Sequence, residues 1–268
     1  MPQDPDAPES QRSVCVLCLS GHDPVGGAGL QADQEAISAL GAHPIGVLTA
    51  LTQQDTRNVR ASLATAPDWM AQSLKLLTAD CDIRAVKIGL IGGAAQVPVM
   101  AALIDQLQVP VVLDPVLRAG GGANLAGQAL QEALLDQLLP RTWVLTPNAA
   151  EARRLAPSAQ NLDQCAQALL SQGCRHVLIT GGDEPDEQVL NTLYSADQPP
   201  VQYRWPRLPE TFHGAGCTLA SALAARLSQG MAVAEAVLSA QEFVQGTLQR
   251  ARKVGHGRRI PGRVLSYG

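Results

Sequence analysis

The chain has 268 residues, 46% of them apolar and 16% charged, enough to bury the core of one large α/β domain and too apolar for a disordered chain. Its net charge of −4 supplies no basic field, which argues against general attraction to nucleic acid or anionic lipid, and no apolar run reaches the length of a membrane-spanning helix. Aromatic residues make up only 3%, so Ala, Leu and Val must fill the interior, as suits helices packed closely on a sheet.

Residues 1–12, MPQDPDAPESQR, are acidic and proline-rich, unlike a signal peptide. They read as a disordered leader ahead of a single domain over 13–268, and a cytoplasmic location is expected. SVCVLCL (13–19) then reads as a buried strand. Its Cys15 and Cys18, three apart, point to opposite faces rather than toward a shared metal. With Cys81, Cys165, Cys174 and Cys217 they are too few and too scattered for a disulfide framework.

Strand-length apolar runs and helical patterns alternate from here on. The helix Gly29–Leu40 is followed by the strand PIGVLTAL (44–51) and the helix Asp68–Ala79. AVKIGLI (85–91) pairs with the helix Gln96–Leu107, and PVVLDPV (110–116) with the helix Leu125–Leu138. TWVLTPN (142–148) runs into a short helix near Ala149, and the helix Leu162–Ser171 leads into HVLITGG (176–182). Such alternation predicts right-handed βαβ units, a mostly parallel sheet and helices on both faces, a three-layer α/β architecture. Gln188–Ser195 and Val201–Arg207, separated by ADQPP, are too close for a crossover helix and predict an antiparallel hairpin at one sheet edge. The helices Gly214–Leu227 and Val233–Arg252 close the chain, and the basic cluster Arg250–Arg259 reads as a solvated helix end.

Ligands of open parallel sheets bind beyond the carboxyl ends of the strands, and the unusual residues gather there. The strands run into SGHDPVGGAGLQAD, TALTQQDT, KIGLIGG, LDPVLRAGGG, LTPNAAEA and ITGGDE. GGAGLQA (26–32) contains G-x-G-x-x-A, but SGHDPV separates it from its strand and no acid follows near Thr49–Gln54, so a nicotinamide fold is not indicated. A phosphate loop of the G-x-x-x-x-G-K-[ST] type is absent. In HGAGCTLASALAA, Gly214, Ala215, Gly216 and Cys217 would turn successive N–H groups of a helix start toward one point, where a phosphoryl group in transfer could sit. The helix end should favour a thiolate at Cys217, although bound phosphate would oppose it. The alternative is a small cysteine packed behind a helix cap. Asp114 and Glu151, with Asn148, match magnesium's preference for a few protein oxygens plus water and phosphate. Taken singly, each is equally a cap or turn former.

SGHDPVGGAGLQAD, ALTQQDT, VKIG, VLDPV, LTPNAAEA, HGAGCTLASALAA and VGHG occur in an order that resembles the hydroxymethylpyrimidine/phosphomethylpyrimidine kinases of thiamine biosynthesis, members of the ribokinase-like superfamily. The resemblance spans about Val14 to Gly257. It implies a ribokinase-like fold and an ATP-dependent kinase that acts on 4-amino-5-hydroxymethyl-2-methylpyrimidine and then on its monophosphate. It places Gly21, Ala28, Gln54 and Val116 around the pyrimidine, and a Gln amide can both donate to and accept from a ring edge that carries an amino group. It makes Cys217 the general base or hydroxyl-orienting group and Gly214–Gly216 the anion hole. Asp114 and Glu151 would hold Mg2+, directly or through water, with Asn148 near the phosphates and Asp33 supporting the site from further along its helix. Relatives are commonly homodimers.

Three positions depart from the family pattern. Thr180-Gly181-Gly182-Asp183 stands where many members have K-G-G-H, so Thr180 and Gly182 would face the nucleotide without the lysine. Ala215 replaces the threonine of G-T-G-C. Asp55 replaces the asparagine of Q-N-T, a carboxylate that could disfavour the phosphorylated substrate, with Arg118 a candidate to offset it. His22 and His213 flank the site, where hydrogen-bonded structural roles are as apt as chemical ones. A pyridoxal kinase and a pyrimidine- or vitamin-binding sensor are the alternative readings.

Overall fold

In the computed structural model, which describes residues 13–117 and 125–264, the apolar runs form β1 (Cys15–His22), β2 (His43–Gln54), β3 (Val59–Ala64), β4 (Ile83–Ile88), β5 (Val111–Leu113), β6 (Val144–Leu145), β7 (His176–Ile179), β8 (Gln188–Ser195) and β9 (Gln198–Pro206). They join one sheet in the order β3-β2-β1-β4-β5-β6-β7-β8-β9. The six strands from β2 to β7 in that order are mutually parallel. β8 and β9 add the expected antiparallel hairpin at one edge. The leader, Arg118 and the glycine run at 120–122 lie outside the described residues.

The helices are α1 (Gly29–Ala39), α2 (Pro67–Asp80), α3 (Val97–Leu107), α4 (Gln128–Ala133), α5 (Ala149–Leu155), α6 (Leu162–Ser171), α7 (Ala215–Ser228) and α8 (Val233–Gln249). Strand alternation sorts side chains to two cores. Leu17, Leu19, Val86, Ile88, Leu113 and Leu145 face α2 to α6, meeting Met70, Met100, Ile104 and Leu169. Val16, Cys18, Ala85, Val112, Val144 and Leu178 face the opposite way, onto α1, α7 and α8. On that side Ala220, Ala222, Ala224 and Ala225 are all fully buried, so α7 lies close against the sheet. All six cysteines are free thiols.

Two elements differ from expectation. β3 pairs antiparallel with β2, giving the sheet a second antiparallel edge. Its sequence VRASLA is exposed along nearly its whole length, so it lacks a buried face to mark it. The helix expected over Leu125–Leu138 is regular only in α4. It relaxes into a π turn over Leu134–Leu138 and a 3-10 turn over Leu139–Arg141, where Pro140 cannot donate to a continuing helix.

Candidate active site

The carboxyl ends of the parallel strands open on a cleft of about 600 Å3. Sheet order puts Gly21 and Gln54, from the ends of β1 and β2, on one side of it, with Ala28 at the start of α1. Asp114 and Val116 follow β5 in the middle. Asn148 and Glu151 follow β6, and Thr180 and Gly182 follow β7, on the far side. Gly214, Ala215, Gly216 and Cys217 border the same cleft from the start of α7. The structure therefore brings these thirteen candidate residues into one cavity, with Asp33 outside its lining. Gln54 is half-buried, and its amide makes no side-chain hydrogen bond among the described residues.

The start of α7 is shaped by backbone packing. Gly214 adopts φ +90, and a methyl there would overlap the Gly27 carbonyl oxygen. No side chain caps the helix, so its first-turn N–H groups have no side-chain partner. Behind this turn lies Arg263, fully buried, which no motif or periodicity singles out. It donates to Thr218 Oγ1 (2.8 Å), to Gly26 O (3.2 Å) and to Gly27 O, and it pairs with Glu35 at 3.1 Å. One guanidinium thus fastens the glycine loop after β1 to α7. A second clamp is Asp23, whose carboxylate accepts from Val25 N (3.0 Å) and Ala28 N (2.8 Å) and lies 2.8 Å from His213 Nε2. Burial pushes Asp23 up, but His213 and these N–H donors outweigh it and hold the carboxyl below its ordinary range. His213 is accordingly a structural partner of Asp23.

Cys217 is half-buried, with the Gly29 N–H directed at its sulfur and the Asp114 carboxyl within hydrogen-bonding reach. The thiolate expected from the helix end does not form. Burial, joined by the charges of Asp114 and Asp33, outweighs Lys87 and pushes the thiol up to about 12. At neutral pH the side chain is a neutral thiol. Lys87 lies within the apolar run AVKIGLI, where no periodicity singles it out. It is fully buried, and its Nζ sits 2.8 Å from Asp33 Oδ1 and 3.1 Å from Ser20 Oγ. Ser20 and Ser221 donate to Asp33 at 2.5 and 2.6 Å, so β1, α1, β4 and α7 meet in one satisfied polar network. Burial alone would strip the lysine's charge, but Asp33 retains it and the net shift is upward. The supporting role expected of Asp33 thus takes the form of holding a buried cation beneath Cys217 and Asp114.

Asn148 and Glu151 form a capping box at α5: Glu151 N donates to Asn148 Oδ1 (2.8 Å) and Asn148 N donates to Glu151 Oε2 (3.1 Å). Asp183 accepts from Ala149 N (3.2 Å) and Ala150 N (2.9 Å), so the residue that replaces the family histidine is a cap. Burial and the neighbouring Asp114 push Glu151 up to about 8, and burial likewise raises Asp114. Two carboxyls held above their ordinary range beside a cleft, Glu151 partly by the charge of Asp114, fit a cation that takes few protein oxygens. Among the described residues no larger cluster of His, Cys, Asp and Glu could hold a metal. Arg207 donates to the carbonyls of Gly181, Gly182, Glu184 and Asp186, placing a positive charge beside the turn that lacks the family lysine. Asp55 turns away: its carboxylate accepts from Arg57 N (2.7 Å) and Asn58 N (3.0 Å), and it does not line the cleft.

The sequence profile of a family described as Phosphomethylpyrimidine kinase matches residues 23–261. The chain is 36% identical over 255 residues to the hydroxymethylpyrimidine/phosphomethylpyrimidine kinase of Escherichia coli, which covers 92% of this chain and 96% of that protein. It is 34% identical over 259 residues to a thiamine biosynthesis bifunctional protein of Geobacter sulfurreducens, covering 94% of this chain but only 52%, about half, of that longer protein. Among solved structures, Bacillus subtilis pyridoxal kinase in its ADP complex superposes with a TM-score of 0.85 at 27% identity, covering 94% of this chain and 97% of that one. A phosphomethylpyrimidine kinase from Clostridium difficile superposes with a TM-score of 0.76 at 27% identity, covering 88% and 99%. These neighbours share the three-layer ribokinase-like architecture expected from the sequence.

Proposed function

We propose that this chain, which belongs to the phosphomethylpyrimidine kinase family, phosphorylates 4-amino-5-hydroxymethyl-2-methylpyrimidine with ATP and then phosphorylates the monophosphate to the diphosphate for thiamine biosynthesis. The observation that carries this reading is the uncapped start of α7, whose N–H groups open on the cleft that also holds Cys217, the Asp114–Glu151 pair and the unpartnered Gln54 amide.

The flat ring would lie against Gly21, Ala28 and Val116, with Gln54 reading its amino-bearing edge and its hydroxymethyl group beside Cys217. The hydroxyl oxygen bonds to the γ-phosphorus of ATP as the bond to the β–γ bridging oxygen breaks, and ADP leaves with that electron pair. In a loose transition state the attacking oxygen sheds its proton late, onto the transferred phosphoryl group, so no strong base is needed. A neutral Cys217 then orients the hydroxyl. The N–H groups of Ala215, Gly216 and Cys217 meet the negative charge on the phosphoryl oxygens, and Gly214 keeps their approach open. Asn148 spends its amide oxygen on the cap and keeps its NH2 for a phosphate. Thr180 and Gly182 would border the nucleotide, with Arg207 supplying the nearby positive charge. Asp114 and Glu151 would hold Mg2+, directly or through water, and magnesium when bound neutralises phosphate oxygens. We place the protein in the cytoplasm as a homodimer. Exposed apolar side chains, Leu51 paired with Leu63 across β2 and β3 and Trp69 and Leu76 on α2, support association. No helix among the described residues is long and apolar enough to cross a membrane.

Pyridoxal phosphorylation is the second reading, favoured by the likeness to pyridoxal kinase structures. A time course of products by mass spectrometry, with hydroxymethylpyrimidine and MgATP, tests the main one. Monophosphate followed by diphosphate is expected. Accumulation of monophosphate alone would remove the second transfer from the account.

A further inference from the structure

The two acceptors of the proposed reaction differ by one group, a phosphate, and the cleft contains a cation whose buried Nε has no partner among the described residues. Arg258 borders the cleft, and its Nε is buried without any hydrogen-bond partner. Its one other side-chain contact is a marginal one, Nη2 to Arg57 O at 3.5 Å. Among the described residues no carboxylate pairs with it. Asp23 acts on it only through its charge and already accepts from Val25, Ala28 and His213. A buried guanidinium nitrogen left unpaired is costly, and a native protein rarely carries one without a use.

The backbone that carries this side chain is fixed in place. Asp55 closes the turn after β2 by accepting from Arg57 N and Asn58 N, and the turn presents the buried Thr56 to the segment after α8. Thr56 Oγ1 accepts from Gly257 N (2.9 Å), and Thr56 O accepts from Arg258 N (3.0 Å). A methyl at Gly257 would overlap the Thr56 carbonyl, so only glycine lets the segment lie this close. The Arg258 backbone is thereby anchored on Thr56, two residues beyond Gln54 at the end of β2, on the acceptor side of the cleft. The other arginine of the cleft, Arg207, is on the nucleotide side and spends four hydrogen bonds on backbone carbonyls. Burial pulls Arg258 below its ordinary range, and an anion alongside would offset that.

We propose that Arg258 recognises the phosphate of an already phosphorylated acceptor and so sets the efficiency of the second transfer relative to the first. This rests on the two-step kinase reading above. The unphosphorylated pyrimidine has no anion to offer Arg258, whereas a phosphomonoester gives it charge-assisted, fork-shaped hydrogen bonding.

The test compares wild type with Arg258→Gln and Arg258→Lys, measuring kcat and KM for hydroxymethylpyrimidine, for its monophosphate and for ATP. Melting temperatures show which variants are folded. The Gln variant should lose roughly 10–100-fold more kcat/KM on the monophosphate than on the free pyrimidine, chiefly through KM, and Lys should recover part of the loss. Proportional losses on both acceptors would make Arg258 merely structural and overturn the inference. A rise confined to the KM for ATP would assign it to the nucleotide phosphates and overturn it equally. Wild-type protein that phosphorylates neither pyrimidine would remove the two-step reading itself, and this assignment with it.

Discussion

Cys217 shows how far one residue can be read from its place in the sequence. A cysteine on the first turn of a glycine-flanked helix suggests an activated thiolate, yet the same fold buries it beside Asp114 and Asp33, and the thiol stays protonated. In the proposed role of an orienting group rather than a base, it would be replaceable by another hydrogen-bonding side chain. Cys217→Ser should retain turnover within about tenfold of wild type, while Cys217→Ala should lose about 10²-fold or more. Equal loss in both, in steady-state assays, would restore the thiolate base. Glu151 carries the pH dependence. Its folded pKa of about 8 exceeds the ordinary 4.5, so the folded protein holds a proton that the unfolded chain gives up. The stability this contributes is complete below pH 4.5 and is lost as pH rises through about 8. Glu151→Gln, which cannot ionise, should flatten the stability–pH curve across that window in denaturant titrations. An unchanged curve would mean that Glu151 titrates normally. Lys87 was legible in principle, because a lysine inside the apolar run AVKIGLI must find a buried counter-charge. Asp33, its partner, comes from another element, and periodicity does not reveal such pairings. Arg263 is harder still: it follows a basic cluster that suggests a solvated surface, and only the closed fold shows it reaching the glycine loop.

At the scale of elements, the start of α7 and the loop after β1 act as one unit. Their backbones touch where Gly214, at φ +90, meets Gly27, while an added methyl on Gly216 would meet nothing among the described residues. The two glycines should therefore fail differently. Gly214→Ala should cost about 2 kcal/mol or more and lower Tm by about 5 °C. Gly216→Ala should leave Tm unchanged but slow turnover, because its methyl would enter the space proposed for the transferred phosphoryl group. Scanning calorimetry and ADP release separate the two. Gly216→Ala with full activity would show that no ligand approaches that backbone. The buried elements were legible because they carry periodic apolar faces. β3 was not, since an exposed edge strand is held by backbone pairing alone, and the π turn after α4 reflects a local accommodation to Pro140 that no periodicity marks.

For the whole molecule, the alternation of strands and helices gave the parallel sheet, and the collection of polar residues at its carboxyl rim gave the cleft. Such features depend on patterns repeated many times along the chain. What the sequence left open is chemical degree: the neutral state of Cys217, the clamps at Asp23 and Arg263, and the unpaired guanidinium of Arg258 all depend on residues far apart in sequence. The same architecture is shared by pyridoxal kinases, so fold alone does not choose the acceptor. The most direct measurement is ADP release under MgATP with hydroxymethylpyrimidine, its monophosphate and pyridoxal compared side by side. Turnover of both pyrimidines, with kcat/KM above that for pyridoxal, is the predicted result. Preference for pyridoxal, or no turnover of either pyrimidine, would contradict the account.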